Sequence, residues 1–240
     1  MITGSGLIAS AFAPGFAHND KVHIYAAGVS NSGCTNLAEF SREHDRLVAA
    51  LQKQAKVETF VYFGTCSVAD PDAAGTAYVQ HKLAMEALVQ AHSGHMILRL
   101  PQVAGKTPNP HTLLNFLYAR ISRSERFQLW VNARRNIIAI DDVVAITRQL
   151  LAGDKGKATI LNVANVHNYP MASIVAAMEN HLGKKAVYDE LARGSEYKID
   201  VAALDSVLRN VAIDFGDDYL DKVIARYYDT LAYLGENDSE

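Results

Sequence analysis

Tyr78 and Lys82 stand four residues apart in AYVQHK, a spacing that puts both side chains on one face of a helix. An ammonium beside a phenol favours the phenolate and draws its pKa from near 10 toward the working range, so the pair reads as an acid/base. Thr65 lies upstream, just past the apolar run Phe60-Val61-Tyr62-Phe63. A hydroxyl at the carboxyl end of a strand is where open parallel sheets put their sites. Near the start, Gly4-Ser5-Gly6-Leu7-Ile8-Ala9 reads as G-x-G-x-x-A after a short strand. Such a turn brings backbone N–H groups to a pyrophosphate at a helix N-terminus. Each signal is weak alone. The glycines also suit an ordinary strand-to-helix turn, a chain with 11 tyrosines offers chance Y-x-x-x-K matches, and Thr65, Cys66 and Ser67 also suit a plain strand-exit turn.

The elements that must position these residues follow an alternating pattern. Apolar runs at Val22–Ala26, Thr59–Phe63, Met96–Leu100, Asn136–Ile140 and Thr159–Val163 predict strands, with a very short one at Met1–Thr3. Amphipathic stretches lie between them. Leu37, Phe40, Leu47, Val48 and Leu51 mark one helical face; Met85, Leu88 and Val89 mark a second, and Leu113, Phe116, Leu117 and Ile121 a third. Ile174, Val175 and Met178 continue after Tyr169-Pro170, with the proline suited to a first helical turn. Asp217 or Asp218 is placed to cap a last helix with a stripe from Leu220 to Leu231. The expectation is an α/β fold, a parallel sheet covered by helices on both faces. Residues 1–165 would form the core, with 101–135 reaching the substrate side, and 166–240 an integrated C-terminal lobe.

The composition, 49% hydrophobic and 20% charged over 240 residues, is that of a globular chain with a real core. A net charge of −3 gives no broad attraction to nucleic acid or anionic membrane. Cys34 and Cys66 are too few for a disulfide framework, and scattered histidines without HExxH or CxxC give a zinc site little support. No signal-like segment and no long apolar stretch stands out, so a reducing cytoplasm is expected.

Taken in order, these motifs resemble the extended short-chain dehydrogenase/reductase superfamily, in its nucleotide-sugar-modifying epimerase/dehydratase branch. ILRLPQVAG, from Ile97 to Gly105, is similar to that branch's R-x-x-N-V-Y-G, with Gln102 for the Asn and Ala104 for the Tyr. RNIIAIDDVV (Arg135 to Val144) and NVAN (Asn162 to Asn165) fit as well. The resemblance implies a Rossmann-like doubly wound sheet binding NAD or NADP. It makes Tyr78 the catalytic acid/base, with Lys82 lowering its pKa and binding a cofactor ribose, and gives Thr65 the hydroxyl role, with Ser67 as its alternative. Gly4, Gly6, Leu7 and Ile8 would meet the cofactor, as would the Ala26-Ala27-Gly28 backbone. Gln102 and Ser67 would touch a nucleotide sugar, Arg135 would meet its diphosphate, and a homodimer would form through the helices beginning near Asn36 and Tyr78.

Two departures shape the expectation. The branch places two further strands and helices where this chain has only SAFAPGFAHND, so the first strand should lie at or near a sheet edge and the adenosine half of a cofactor should be poorly enclosed. Binding would then be weak, completed by a partner subunit, or lost. Cys66-Ser67 replaces the Asp-Glu that follows the hydroxyl in sugar 4,6-dehydratases, which disfavours that reaction. Cys66 itself reads as a packed thiol rather than a second acid/base. Epimerisation or keto-reduction of a nucleotide-linked sugar remains, beside a non-catalytic relative that binds a nucleotide sugar or a partner.

Overall fold

The computed structural model describes residues 1–153 and 158–228. Five strands, β1 (Ile2–Thr3), β2 (Val22–Tyr25), β3 (Thr59–Thr65), β4 (His95–Leu100) and β8 (Thr159–Asn162), form a wholly parallel sheet in the order β1-β2-β3-β4-β8. β1 is at the edge, as the shortened N-terminal interval predicts. β3 is buried at all seven positions, which is why it reads as an unbroken apolar run.

Alternate residues of β3 feed two helical layers. Val61 and Phe63 point to the face covered by α1 (Leu7–Phe16) and α5 (Ile140–Ala152), where Phe12, Leu98 and Ile146 share their core. Phe60 and Tyr62 point to the face covered by α2 (Leu37–Lys53) and α3 (Ala77–Gln90), packing with Leu47, Met85 and Val89. This is the doubly wound arrangement. Asn36 caps α2 by accepting from the Ala38 amide, and the Thr76 hydroxyl caps α3 by accepting from Val79.

A second hydrophobic cluster gathers α4 (Leu113–Ser122), α6 (Met171–Leu182) and α8 (Tyr219–Tyr227). Two small sheets border it. β6 (Phe127–Trp130) pairs with β10 (Tyr188–Leu191), and β7 (Arg134–Ala139) lies between β5 (Gln102–Ala104) and β9 (Asn168–Pro170). The strand expected at Asn136–Ile140 therefore does not join the central sheet, and Ile140 opens α5 instead. The helix after Tyr169 starts at Met171, with Pro170 still in β9. α7 (Asp205–Leu208) returns to α5 and the α1–α5 core, so residues 166–228 pack on that core as well as on this cluster.

Some helical faces differ from expectation. Leu37 is 77% exposed and Phe116 37%, each just beyond the stripe that packs. Leu231 lies outside the described residues. Asp218 precedes α8 but makes no capping bond, because its carboxylate pairs with Lys222 at 2.8 Å. Among the described residues no helix is long and apolar enough to cross a membrane.

The Tyr219 phenol helps tie α8 to β7 and α5. The Ala139 amide donates to the Tyr219 hydroxyl at 2.8 Å, and that hydroxyl donates to Asp142 at 2.5 Å. Tyr219→Phe strands a buried amide and should cost about 1–3 kcal/mol, read as a lowered midpoint in urea unfolding with an unchanged slope.

Candidate active site

The carboxyl ends of β1 to β4 open into one cavity of about 590 Å³, a size suited to a small-molecule ligand. The structure brings every residue singled out for binding or catalysis to its wall: Gly4, Gly6, Leu7 and Ile8; Ala26, Ala27 and Gly28; Thr65, Ser67, Tyr78 and Lys82; Gln102 and Arg135. Cys66 is not among the lining residues.

The glycine turn is built for backbone approach. Gly4 has φ +135°, and a Cβ there would stand 2.3 Å from the Ala26 carbonyl oxygen, so β1 can lie against β2 only with glycine. A Cβ on Gly6 would meet nothing within 4 Å, leaving the face toward the cavity open. Gly6 occupies the cap position of α1 without any side-chain cap, so the first N–H groups of this ten-residue helix stay available to an anion. Behind the turn, Gly105 lets Leu7 approach; a Cβ there would be 2.7 Å from its side chain. These features fit the pyrophosphate of a dinucleotide. Asn109 donates to the Ser30 hydroxyl at 3.2 Å, bridging the loops that follow β5 and β2.

Thr65 ends β3 and starts a 3₁₀ turn, Cys66–Ala69, accepting from the Ser67 amide at 3.1 Å. That fixes its side chain and leaves its O–H to donate. Tyr78, in the first turn of α3, lies within hydrogen-bonding reach of Thr65. Burial pushes its phenol up to about 12; the Thr65 bond pulls down and the Glu43 charge pushes up. This reverses the downward shift expected from Lys82. Burial is the larger effect, and Lys82 itself is turned to other partners, donating to Glu43 Oε1 at 3.1 Å and to the Tyr62 hydroxyl at 3.2 Å. On the other side of the cavity, Tyr197 sits within reach of Ser67. Arg135 is half-buried and donates to the Arg134 carbonyl, with further N–H groups left toward the opening.

Sequence reasoning missed Glu43, Tyr62, Tyr197 and the cavity-lining pair Arg42 and Arg46. Glu43 carried a signal. It falls between Phe40 and Leu47 on the buried stripe of α2, where a charge is anomalous. α3 likewise buries Tyr78, Lys82 and Glu86 on successive turns, and Glu86 holds Arg99 in a two-pronged pair at 2.7 to 3.2 Å.

A family model, that of the "NAD dependent epimerase/dehydratase family", matches residues 22–164, more than half of the chain. The chain belongs to that family. The match begins at β2 and ends just beyond β8. No curated protein matches the chain. Among solved structures, a UDP-glucuronic acid 4-epimerase from Bacillus cereus, in complex with UDP-glucuronic acid and NAD, superposes with a TM-score of 0.67 at 18% identity, over 86% of this chain and 76% of that one. RMD from Pseudomonas aeruginosa complexed with NADPH gives 0.70 at 14% identity, over 93% and 96%. A UDP-glucose 4-epimerase from Thermotoga maritima with UDP-glucose gives 0.65 at 16%, over 83% and 74%. These likenesses establish the epimerase/dehydratase fold.

Within that fold Cys66 is structural. Its thiol donates to the Arg99 carbonyl at 3.2 Å, and burial pushes it up to about 12. In the folded protein at pH 8, iodoacetamide should leave Cys66 unmodified and label it only in urea, as peptide mass spectrometry would show.

Proposed function

We propose that this protein is an NAD(P)-dependent epimerase or keto-reductase of a nucleotide-linked sugar, with Tyr78 as its acid/base. The observation that carries the reading is the placement of Thr65 and Tyr78, within hydrogen-bonding reach of each other, in the same cavity as the glycine turn of β1–α1. Family membership and the nucleotide-sugar epimerases of the same fold support it.

Gly4, Gly6, Leu7 and Ile8 would hold the pyrophosphate through backbone N–H groups, and Ala26 to Gly28 would flank it. When bound, the nicotinamide supplies a place for a hydride to leave from or return to. Tyr78 takes the proton of the sugar hydroxyl as that carbon is oxidised, and returns it to the oxygen when the ketone is reduced. Once Tyr78 is protonated, Thr65 turns its single O–H from the phenol to the same oxygen and steadies its developing charge. In a keto-reductase only the second half runs, with Tyr78 donating its proton to the carbonyl oxygen. Gln102, Ser67 and Arg135 bind the sugar nucleotide, Arg135 by pairing with its diphosphate. We place the protein in a reducing cytoplasm, in keeping with its two unbridged cysteines, and as a homodimer through α2 and α3.

One observation favours a second reading, a non-catalytic relative that binds a nucleotide sugar or a partner. Only residues 17–21 connect α1 to β2, so that interval carries no strand–helix unit to wall the adenosine side.

The test is calorimetric titration with NAD(H) and NADP(H), followed by turnover assays on UDP-, GDP- and dTDP-sugars. Measurable dinucleotide affinity with turnover is expected; no binding at millimolar concentration sinks the reading. Tyr78→Phe should lower turnover by about 10²–10⁴-fold while leaving dinucleotide affinity nearly unchanged. Because burial keeps the phenol protonated at neutral pH, the basic form should gain about tenfold per pH unit. The rate of sugar oxidation should therefore climb from pH 7 to 10, and Thr65→Val, which removes the bond that pulls this pKa down, should move the rise to higher pH. A profile already flat at pH 7 would exclude Tyr78 as the base.

A further inference from the structure

Glu43 is the most deeply committed charge in the molecule that the proposed chemistry does not use. Its side chain is 1% exposed, yet it projects from α2 to the wall of the main cavity. Four polar groups converge on it from three elements. The Val29 amide donates to Oε2 at 2.7 Å, and His81 Nε2 lies 3.0 Å from the same oxygen. The Tyr62 hydroxyl donates to Oε1 at 2.9 Å, and Lys82 Nζ donates to Oε1 at 3.1 Å. A carboxylate accepts about four hydrogen bonds, so Glu43 has none left for a ligand. Burial alone would raise its carboxyl, but Lys82, the Val29 amide and His81 more than offset this and hold it below the usual carboxylate range.

Lys82 has the complementary geometry. An ammonium has three N–H donors; one goes to Glu43 and one to the Tyr62 hydroxyl. Lys82 still lines the cavity, beside Gly28, where a Cβ would come within 2.5 Å of Nζ and 2.7 Å of Glu43 Oε1. The absence of a side chain at position 28 therefore leaves room for both partners at once.

We propose that Glu43 is the positioning residue of Lys82: one carboxylate oxygen holds the ammonium turned toward the cavity beside Gly28, while the other pins the Val29 amide that follows. A single side chain thereby sets the loop after β2 and the lysine on α3 in register, and presents one free N–H to a ligand hydroxyl. Its consequence for dinucleotide affinity rests on the reading of the cavity as a dinucleotide site; its consequence for Lys82 does not. The other charged or titratable groups in its field are Tyr25 from β2, whose hydroxyl donates to the Glu43 carbonyl, Arg46 on its own helix, and Tyr78 on α3.

The experiment uses the full chain and Glu43→Gln, which keeps the shape and an acceptor oxygen but removes the charge. Amine acetylation at pH 8 would be followed at Lys82 by peptide mass spectrometry, with exposed Lys185 as internal reference. Freed from the ion pair that engages its Nζ at 3.1 Å, Lys82 should acetylate at least about tenfold faster in Glu43→Gln. Dinucleotide affinity should fall by about tenfold or more. Glu43→Asp, which keeps the charge one methylene short, should restore most of the Lys82 protection, and it stands in as the test variant, with a smaller effect in the same direction, should Glu43→Gln not fold. Unchanged Lys82 labelling relative to Lys185 overturns the proposal. So does faster labelling with unchanged dinucleotide affinity, which would make the pair a structural one. If the wild-type protein binds no dinucleotide, the function proposed above fails, and the labelling still decides whether Glu43 holds Lys82 in place.

Discussion

The parallel pairing of β3 with β2 and β4 is the constraint on which this molecule depends. Parallel strands end at the same edge, so residues far apart in the chain are delivered side by side. The β2–β3 and β3–β4 registers carry Tyr25 to Tyr62 and Thr65 to Leu100. The Ala26-Ala27-Gly28 turn, the Thr65 hydroxyl and the Pro101-Gln102 segment then follow at one rim. Because β3 is covered on both faces, a shift of one residue would drive Phe60 and Tyr62 into the wrong layer, and burial fixes the register. The cavity is a consequence of that register.

Inside this frame the helices on one side of the sheet carry charges where apolar residues would suffice. Tyr78, Lys82 and Glu86 descend α3 toward the sheet, with Glu43 facing them from α2. A buried ion pair gives little net stability against an apolar substitute of the same shape. What it does give here is orientation. A lysine held by two partners has lost most of its rotamer freedom, and the groups around it inherit that order. The raised Tyr78 phenol belongs to the same trade, since the burial that aligns it also favours its neutral form.

Much of this was legible in the residues alone. Strands buried on both faces announce themselves as apolar runs, and the parallel sheet, its edge strand and the group of residues at its rim follow from them. Periodicity reports burial but not partnership, so the Asn136–Ile140 run looked like another central strand although β7 pairs with β5 and β9. β5, β6, β9 and β10 are three or four residues each, too short to carry a pattern of their own, and tertiary pairing decides them. Glu43 was hidden for a different reason. Helical reading looks for an apolar stripe and treats a glutamate within it as a gap, whereas here the gap is the contact. The Tyr78–Lys82 spacing placed both residues correctly, but spacing is silent about the third group that intercepts the lysine.

The family match beginning at β2 and the five-residue connection from α1 to β2 mark the same seam in the molecule. An outermost strand hydrogen-bonds to one neighbour only, so chain can be removed or inserted beside it without retying the rest of the ladder. β1 is such a strand, only two residues long, while Thr65 and Tyr78 lie on β3 and α3 further in. The architecture therefore divides into an edge margin open to remodelling and an inner group of residues insulated from it. Residues 17–21 form a natural graft point, where strand–helix units could be spliced in to change what the protein holds without changing what Thr65 and Tyr78 are positioned to do.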